Sequence, residues 1–498
     1  MIEHLPVLPV VVPLVAAPLC VLIPSGRDGL GPWVFALLTA WISFALSVLL
    51  LASVMDGGTL RYFLGGWAPP LGIEYRVDLM GALVMVLVSG MAALVMPFAR
   101  ASVAFEVGVR QSSAFYAIFL VCLTGLMGVV ATGDAFNVFV FLEISSLSTY
   151  ALVAMGARMD RRALTAAFTY LVLGTIGATF FVIGLGLLYQ ATGTLNMLDI
   201  ADRLQGRDDR VIRAAFAFVV TGLGLKLALF PLHRWLPDAY TFAPSAVTTF
   251  LASTATKVAI YAMLRFVFTV FGFGTAYVDV AFGLFVVLGL LGMVLASVVA
   301  VFREDAKHML AFSSVAQVGY MLLGIGLATT AGVASGLVHL TNHALMKAAL
   351  FMAVGAVVYA TGSHRLSAFR GIAGSMPVTA GCFALAGCSL IGFPLTAGFV
   401  SKWVLIRAVI DAQTGWGALI VLLIVASSLL AVAYVGRVAY AMFLTDREEG
   451  AVALRPVPLG LLVPMIAVTL ANVWAGVDSE GLVTLCTEAA RVLLGGAS

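Results

Sequence analysis

Seven protonatable side chains interrupt stretches of the sequence that are otherwise apolar. They are Glu143, Lys226, Lys257, His339, His343, Lys347 and Lys402. A charge near the centre of a bilayer is costly, so such residues persist where they line a water-filled path or pair inside a helix bundle. Each of these groups can bind and release a proton. The chemistry that they suggest is proton transfer.

The spacing of these residues supports a continuous path. His339, His343 and Lys347 are four residues apart, and at about 100° per residue they form one polar stripe along a helix. Lys226 precedes Pro231, which lacks an amide hydrogen and is predicted to free the carbonyl of Leu227. Exposed backbone at that depth needs water or another partner.

A relay of protons between these groups is the mechanism that we predict. Burial disfavours the charged form of a lysine, whereas a nearby carboxylate favours it. Glu143 beside Lys226 would keep that lysine protonated, and moving either charge would release the proton towards Lys257. The histidines and Lys402 would follow. A snorkelling or locally paired side chain is the alternative for any single lysine.

The elements that hold these side chains must be membrane helices. The chain has 498 residues, of which 62% are hydrophobic and 10% charged, whereas soluble proteins carry about 25% charged residues. Apolar runs of about 20 residues, the length that crosses the hydrocarbon core, recur throughout. The formal net charge of +3 is small and dispersed, which argues against a nucleic-acid partner.

We predict an all-α polytopic membrane protein with about fourteen transmembrane helices. The predicted spans are residues 6–24, 32–54, 77–99, 112–131, 135–156, 162–190, 210–230, 245–271, 276–301, 305–328, 331–360, 375–391, 416–444 and 457–475. Two short segments, 231–240 and 395–411, follow prolines and are predicted half-helices. The N-terminal run lacks a basic region, so we interpret it as the first membrane helix.

Lys and Arg in the loops predict the orientation of the chain in a cell membrane. Most of them fall on one side, which should be cytoplasmic: Arg27, Arg100, Arg110, Arg158, Arg161, Arg162, Arg303, Lys307, Arg365, Arg370, Arg447 and Arg455. The exception is the loop that holds Arg203, Arg207, Arg210 and Arg213. Both termini are therefore predicted to be non-cytoplasmic.

Two halves of the sequence echo each other. Residues 186–193 resemble residues 356–362, and Phe-Pro-Leu at Pro231 recurs at Pro394. The echo places spans 4–8 over spans 9–13, and an odd number of helices requires opposite orientations, as in transporter repeats. The alternative is chance similarity and ordinary proline kinks. The predicted divisions are an N-terminal unit (1–111), a first repeat (112–272), a second repeat (273–445) and a C-terminal helix with its tail (446–498).

Other polar residues have simpler interpretations. Asp134 and Asp305 are predicted to cap helix N-termini. Arg265, Arg407 and Arg437 are predicted to lie near interfaces or to pair locally. The five cysteines show no metal-ligand spacing, so we predict neither a metal site nor a cofactor.

The motifs around these residues resemble the antiporter-like family. This family is shared by the A-type and D-type subunits of Mrp-type cation/proton antiporters, the L-, M- and N-type subunits of complex I, and membrane-bound hydrogenase subunits. The resemblance covers spans 3–13 and is carried by the segments 133–143, 230–239, 243–257, 305–319, 339–347 and 392–402.

The resemblance implies inverted five-helix repeats, broken helices seven and twelve, and a central hydrophilic axis. It implies that Glu143 is the ion-pair glutamate and Lys226 its partner, and that Lys257 connects the halves. His339 and His343 match the histidines of the eleventh helix, and Lys402 matches the terminal protonatable residue. Gln317 stands where some members carry a histidine, which puts one relay step in doubt.

Two functions follow from this resemblance. The first is proton translocation as the D-type subunit of a multisubunit Mrp Na⁺/H⁺ antiporter, which the phrase at residues 137–146 favours. The second is a proton-pumping subunit of a complex I-like oxidoreductase or a hydrogenase, driven by electron transfer elsewhere. Either one is a transporter subunit that has other membrane subunits as partners and transports H⁺. In the first function Na⁺ or K⁺ is transported as well. A structural scaffold is a third alternative. No intramembrane cluster of Asp and Glu offers the oxygen ligands of a sodium site.

Overall fold

The computed structural model describes residues 2–26, 28–413, 415–447 and 453–495, and these residues form a bundle of helices. The first half contains α1 (Leu8–Leu22), α2 (Leu30–Gly57), α3 (Leu79–Glu106), α4 (Ser112–Ala131), α5 (Ala135–Ala154), α6 (Arg162–Thr192), α7 (Met197–Leu204), α8 (Arg210–Lys226), α9 (Trp235–Phe242) and α10 (Ser245–Leu264). The second half contains α11 (Ala276–Val301), α12 (Ala306–Gly326), α13 (Thr330–Thr361), α14 (Pro377–Ile391), α15 (Ala397–Asp411), α16 (Gly417–Phe443), α17 (Leu459–Val477) and α18 (Glu480–Leu493). Arg27, which contributed to the predicted orientation, lies outside the described residues.

The apolar runs predicted the helices well. Among the described residues, 11 helices are long and apolar enough to cross a membrane, or up to 12 if a bent pair counts as one span. The three other predicted spans coincide with the shorter helices α1, α8 and α14. The polytopic all-α class is confirmed, and fourteen crossings remain a prediction.

The two predicted helix breaks are present. Helix α8 ends at Lys226 and α9 begins at Trp235, so the predicted end of this span at residue 230 is wrong. The missing N–H of Pro231 and its ring prevent the last turn, and Ala228 takes the left-handed conformation with φ 61°. The second break separates α14 from α15 around Pro394.

Helices α10, α12 and α13 form the centre of the bundle. Of the 18 most apolar consecutive residues in each helix, 94% are buried in α12, compared with 39% in α11 and 33% in α16. The peripheral helices carry leucine and valine side chains outward, as a lipid-facing surface requires. The polar axis is therefore enclosed by helices and shielded from lipid.

Two junctions in the structure repeat the same hydrogen-bond pattern. Asp134 and Asp305 cap α5 and α12 by accepting from the amides of Asn137 and His308, as predicted. The backbone bonds of each junction match: Ala135 N to Leu195 O and Met197 N to Gly133 O in the first, and Ala306 N to His364 O and Leu366 N to Glu304 O in the second.

The matched junctions lie at opposite ends of α3. Gly133 lines a small cavity with Asp78, which caps the start of α3. Lys307 pairs with Glu106, the last residue of α3. Opposite placement of equivalent junctions favours the inverted repeat. The repeat itself and its residue limits stay predictions.

Three elements were not predicted, and one of them is the short helix α7, which lies where we predicted the loop that holds Arg203. Strands β1 (Leu60–Phe63) and β2 (Glu74–Val77) form an antiparallel hairpin, which buries Glu74 against Arg61 and Asn196. Helix α18 follows α17 and buries Cys486, Ala489, Ala490 and Leu493 against the bundle. We predicted only a tail after the last span.

Candidate functional site

Glu143 and Lys226 form a buried ion pair, as the relay requires. The Lys226 Nζ donates to Glu143 Oε1 at 2.8 Å and to Ser146 Oγ at 2.7 Å. Glu143 and Ser146 share a face of α5 because they are three residues apart, and Lys226 is the last residue of α8. The Lys226 side chain is 6% exposed and the Glu143 side chain 22% exposed.

The helix break beside Lys226 is stabilised by an aromatic side chain. Trp235 Nε1 donates to the carbonyl of Leu225 at 2.9 Å, and its ring stacks on Tyr170 with centroids 4.0 Å apart. We predicted that Pro231 frees the carbonyl of Leu227, whereas the carbonyl that accepts this side-chain donor is two residues earlier. The break is thus held open by specific contacts.

Lys257 lies fully buried in α10. Its ammonium donates to the carbonyl of Ala252 in the same helix, and Thr256 Oγ1 lies 3.4 Å away. In the described part of the chain no carboxylate lies within ion-pair distance of Lys257. A buried ammonium with only neutral partners is costly to keep charged, which suits a group that passes its proton on.

The polar stripe of α13 faces the helices that carry the other lysines. The rings of His339 and His343 are stacked with centroids 6.0 Å apart. Lys347 donates to the carbonyl of Leu310 at 2.8 Å and to Ser313 on α12. Helix α10, which carries Lys257, packs directly against α13. The predicted stripe therefore lies on the helix beside that of the connecting lysine.

The ring nitrogens of His343 lack protein partners. Within the described residues neither of them has a hydrogen-bond partner, and the same holds for Nε2 of His339. A buried polar atom without a partner costs about 1–3 kcal/mol. Water or a transferred proton satisfies such atoms, so this segment of the axis is suited to carrying protons.

Lys402 closes the line of charges in α15. It donates to the carbonyls of Leu390 and Ile391, at 3.0 and 2.8 Å, and to Ser428 Oγ at 2.9 Å. Its Nζ lies 5.1 Å from the centroid of the Tyr320 ring, which is 5.4 Å from the ring of His339. Tyr320 thus links the histidines to Lys402.

The second break gives Lys402 its partners, because the last carbonyls of α14 have no amide donor from a following helical turn. Gly392 ends α14 with φ 96°, and a Cβ there would lie 3.0 Å from Lys402 Cδ. A cavity of about 270 Å³ beside Lys402, Trp403 and Ser428 leads towards the lateral surface. Lys402 therefore stands at the edge of the axis.

Gln317 lies on α12 between Ser313 and Tyr320, and its Oε1 is buried without a partner among the described residues. The structure thus places an amide beside the histidine–tyrosine segment.

Sequence reasoning missed one buried pair. Glu106 of α3 and Lys307 of α12 are 4% and 2% exposed, and their charged groups are 3.8 Å apart. Lys307 was counted as a loop charge and Glu106 was not singled out. An acid that ends an apolar helix was the only available signal. We predicted that Arg265 and Arg437 lie near interfaces or pair locally. In the structure Arg265 pairs with Asp78 at the start of α3 and Arg437 donates to the carbonyl of Val301, so both contacts join distant parts of the sequence.

Comparison with known proteins gives consistent results. Residues 132–429 match the family model described as NADH:quinone oxidoreductase/Mrp antiporter, transmembrane. The N-type subunit of NADH-quinone oxidoreductase from Desulforudis audaxviator is 40% identical over 97% of this chain and 98% of its own length. The D-type subunit of the Na⁺/H⁺ antiporter from Alkalihalophilus pseudofirmus is 32% identical over 73% of this chain and 72% of its own length. The corresponding D-type antiporter protein of Bacillus subtilis is 28% identical over 98% and 97%.

Two solved structures share the fold. A chain of the archaeal membrane-bound sulfane sulfur reductase superposes with a TM-score of 0.88 at 28% identity, covering 99% of this chain and 98% of that chain. A chain of the Mrp complex from Dietzia sp. superposes with a TM-score of 0.89 at 27% identity, covering 99% and 97%. The preference for the D-type antiporter drawn from residues 137–146 is left open, because relatives of both kinds match.

Proposed function

Because this chain belongs to the NADH:quinone oxidoreductase/Mrp antiporter transmembrane family, we propose that it moves protons across a cell membrane along its line of buried charges. The observation that carries the proposal is the series Lys226, Lys257, Lys347 and Lys402, buried on four helices. Among the described residues, a single carboxylate, that of Glu143, is in ion-pair contact with this series. Four ammonium ions cannot all be kept charged in so apolar a bundle without a large desolvation cost. Protons must therefore be shared among these groups.

The geometry supports transfer in two stages. Glu143 stabilises the charged form of Lys226 through direct contact, and separation of the pair releases the proton towards Lys257. A proton on Lys257 then repels charge on His343 and Lys347, which lie on α13, the helix that packs against α10. That repulsion moves charge past Tyr320 to Lys402.

We also propose the orientation that the loops predict. Five arginines line a cavity of about 1030 Å³ at one end of the bundle: Arg162, Arg303, Arg365, Arg370 and Arg437. The first and last described segments lie at the other end, where His4 packs on Tyr62 of the hairpin and α18 ends beside Asp78. By the positive-inside rule the arginine-rich end is cytoplasmic, and both termini are outside.

The exceptional arginine loop fits this orientation. Three of its arginines pair with acids of the same loop: Arg203 with Asp199, Arg207 with Asp209 and Arg213 with Asp208. The orientation is tested by labelling a cysteine introduced at an exposed position of this loop with an impermeant reagent. Labelling from the cytoplasmic side would contradict it.

The chain acts within a larger membrane assembly, and two assemblies are candidates. Identity of 40% along nearly the whole chain to an N-type oxidoreductase subunit favours a redox-driven oxidoreductase. Identity of 28–32% to D-type antiporter subunits, and the Mrp fold match, support Na⁺/H⁺ exchange as the second candidate. In the first assembly electron transfer occurs in other subunits, and in the second a cation is exchanged for the proton.

Proton movement into vesicles that contain the assembled complex separates these candidates. A pulse of Na⁺ or K⁺ drives a pH gradient only in the antiporter, whereas an electron donor with a quinone drives it only in the oxidoreductase. In either case alanine at Glu143, Lys226, Lys257 or Lys402 should abolish the gradient, and alanine at the exposed Arg213 should not. Normal gradients in all four assembled variants would overturn the proposed function.

A further inference from the structure

A second, smaller cavity at the arginine-rich end leads to charges that the axis does not use. Its volume is about 240 Å³, and its inner wall is formed by Glu106, Lys307, Ala243 and Pro244. Its outer wall includes Asp160, Ser363 and His364. It adjoins the larger arginine-lined cavity, with which it shares Arg162, Thr241, Phe242 and Arg365.

Glu106 is held firmly at the inner end of this cavity. Its carboxylate accepts from the amide of Ser245 at 3.1 and 3.0 Å, from Ser245 Oγ at 3.1 Å and from Ser102 Oγ at 2.6 Å. Ser245 begins α10, so the carboxylate also lies at the positive end of a helix. These contacts favour a fixed negative charge.

Lys307 is held less completely. It donates to the carbonyl of Ala243 at 3.0 Å, and its Nζ stands 3.8 Å from Glu106. An ammonium group has three N–H donors, and the described residues supply one acceptor at hydrogen-bond distance. The cavity is large and polar enough to hold water. Lys307 is therefore suited to exchange protons with that water.

The outer end of the cavity carries groups that connect it to the cytoplasmic solution. His364 and Asp305 form a hydrogen-bonded pair there, and Asp160 pairs with Arg162. Burial alone would raise the pKa of Asp305, but the hydrogen bond and charge of His364 hold that pKa below its usual value. Charged groups thus continue from the surface to Lys307.

Lys307 also lies close to the axis. Leu310, whose carbonyl accepts from Lys347, is three residues further along α12, a rise of about 4.5 Å. Ser313, the other acceptor for Lys347, and Ser314 follow in the next turn. The same helix therefore presents Lys307 to the cavity and its acceptors to Lys347.

We propose that the Glu106–Lys307 pair is a proton inlet that joins the cytoplasmic solution to the axis at Lys347. Lys307 gives a proton to Lys347 across one turn of α12 and regains one from cavity water that exchanges with the bulk. Glu106 supplies the fixed countercharge. The inlet rests on the proposed function, because it presupposes that protons move along the axis.

Replacement of Lys307 separates an inlet from a structural pair. Arginine keeps the charge and can still contact Glu106 and Ala243, but it does not release its proton. We expect Lys307→Arg and Lys307→Gln each to lower proton movement more than about tenfold. The control is Asp78→Asn, which breaks the buried pair with Arg265 at the opposite end of α3 and should leave proton transport by assembled complexes unchanged. Full activity of Lys307→Arg would identify the pair as structural only and overturn the inlet.

Chemical blocking tests the cavity without a folding defect. Ser363→Cys lines the small cavity, whereas Ser367→Cys lines only the large one. A bulky, impermeant thiol reagent added from the arginine-rich side to the purified complex in vesicles should inhibit the first variant at least about fivefold and spare the second. Equal rates before and after modification of Ser363→Cys would overturn the inlet.

The axis variants identify which proposal fails. If Glu143→Gln and Lys402→Ala abolish proton movement while the Lys307 variants and modified Ser363→Cys retain it, the inlet is wrong and the axis stands. If all of these variants move protons normally, the proposed function itself is wrong.

Discussion

Breaking the Glu143–Lys226 pair should cost stability and transport together. At 2.8 Å separation, two unit charges interact with about 6 kcal/mol at an effective dielectric constant of about 20. The 22% exposure of Glu143 lets water screen part of this energy. Removing one partner of a buried pair costs about 3–5 kcal/mol, so Glu143→Gln should cost about 3 kcal/mol.

The same free-energy loss predicts how far the proton flux should fall in Glu143→Gln. A loss of about 3 kcal/mol in stabilisation of charged Lys226 lowers its population about 100-fold, since every 1.4 kcal/mol is a factor of ten. The proton flux through the pair should fall by a similar factor. Ser146→Ala removes a single hydrogen bond worth about 1 kcal/mol and should lower the flux less than tenfold.

A double-mutant cycle is the decisive assay. Glu143→Gln/Lys226→Met leaves neither charge buried. Its free energy of unfolding in detergent should therefore return to within about 1 kcal/mol of that of the parent complex. Its proton flux should stay lost. If the destabilisation of the two single variants adds in the double variant, the residues are not coupled and the reasoning is refuted.

Variants at three further positions test the Lys402 end of the axis and the N-terminal cap of α12. Gly392→Ala places a Cβ at φ 96° beside Lys402 and should lower the unfolding midpoint by the equivalent of about 1–2 kcal/mol, together with the proton flux; an unchanged midpoint would contradict the strain. Tyr320→Phe keeps the ring beside Lys402, and its proton flux should stay within about threefold of the parent. Tyr320→Leu loses a cation–π contact of about 1–2 kcal/mol, so its proton flux should be lower than that of Tyr320→Phe. Equal fluxes in the two variants would count against a role for the ring. His364 holds the pKa of Asp305 below its usual value, so the stability from this pair is present above about pH 4 and is lost as the pH falls through the lowered pKa. Asp305→Asn should therefore lower the unfolding midpoint at pH 7 and make it depend less on acid. Unfolding midpoints measured from pH 7 to pH 3 would show both effects.

Local physics explains what could be predicted from the sequence. The length of apolar runs determines membrane helices, which is why α2–α6 and α10–α13 were found. Proline chemistry determined the breaks at Pro231 and Pro394, and an acid before an apolar run identified the caps Asp134 and Asp305. Each of these signals lies within a few residues of its effect.

The features that were missed depend on residues far apart in the chain. Glu106 and Lys307 meet because the C-terminal end of α3 approaches the N-terminal end of α12, and neither local sequence indicates the partner. The β-hairpin is stabilised when Glu74 binds Asn196, and α18 needs the surface of α3 and α13. The relay residues were found because a charge in an apolar run is conspicuous without any knowledge of its partner.

Lys257 offers the most direct test of the proton path, because it is fully buried on α10, the helix that contacts both α8 and α13. Lys257→Met keeps an unbranched side chain of similar length but cannot bind a proton. Proton flux should be measured in vesicles that contain the assembled complex with this single replacement. We predict that flux is abolished while the unfolding midpoint is preserved or raised; flux at the parental rate would contradict a path through these buried charges.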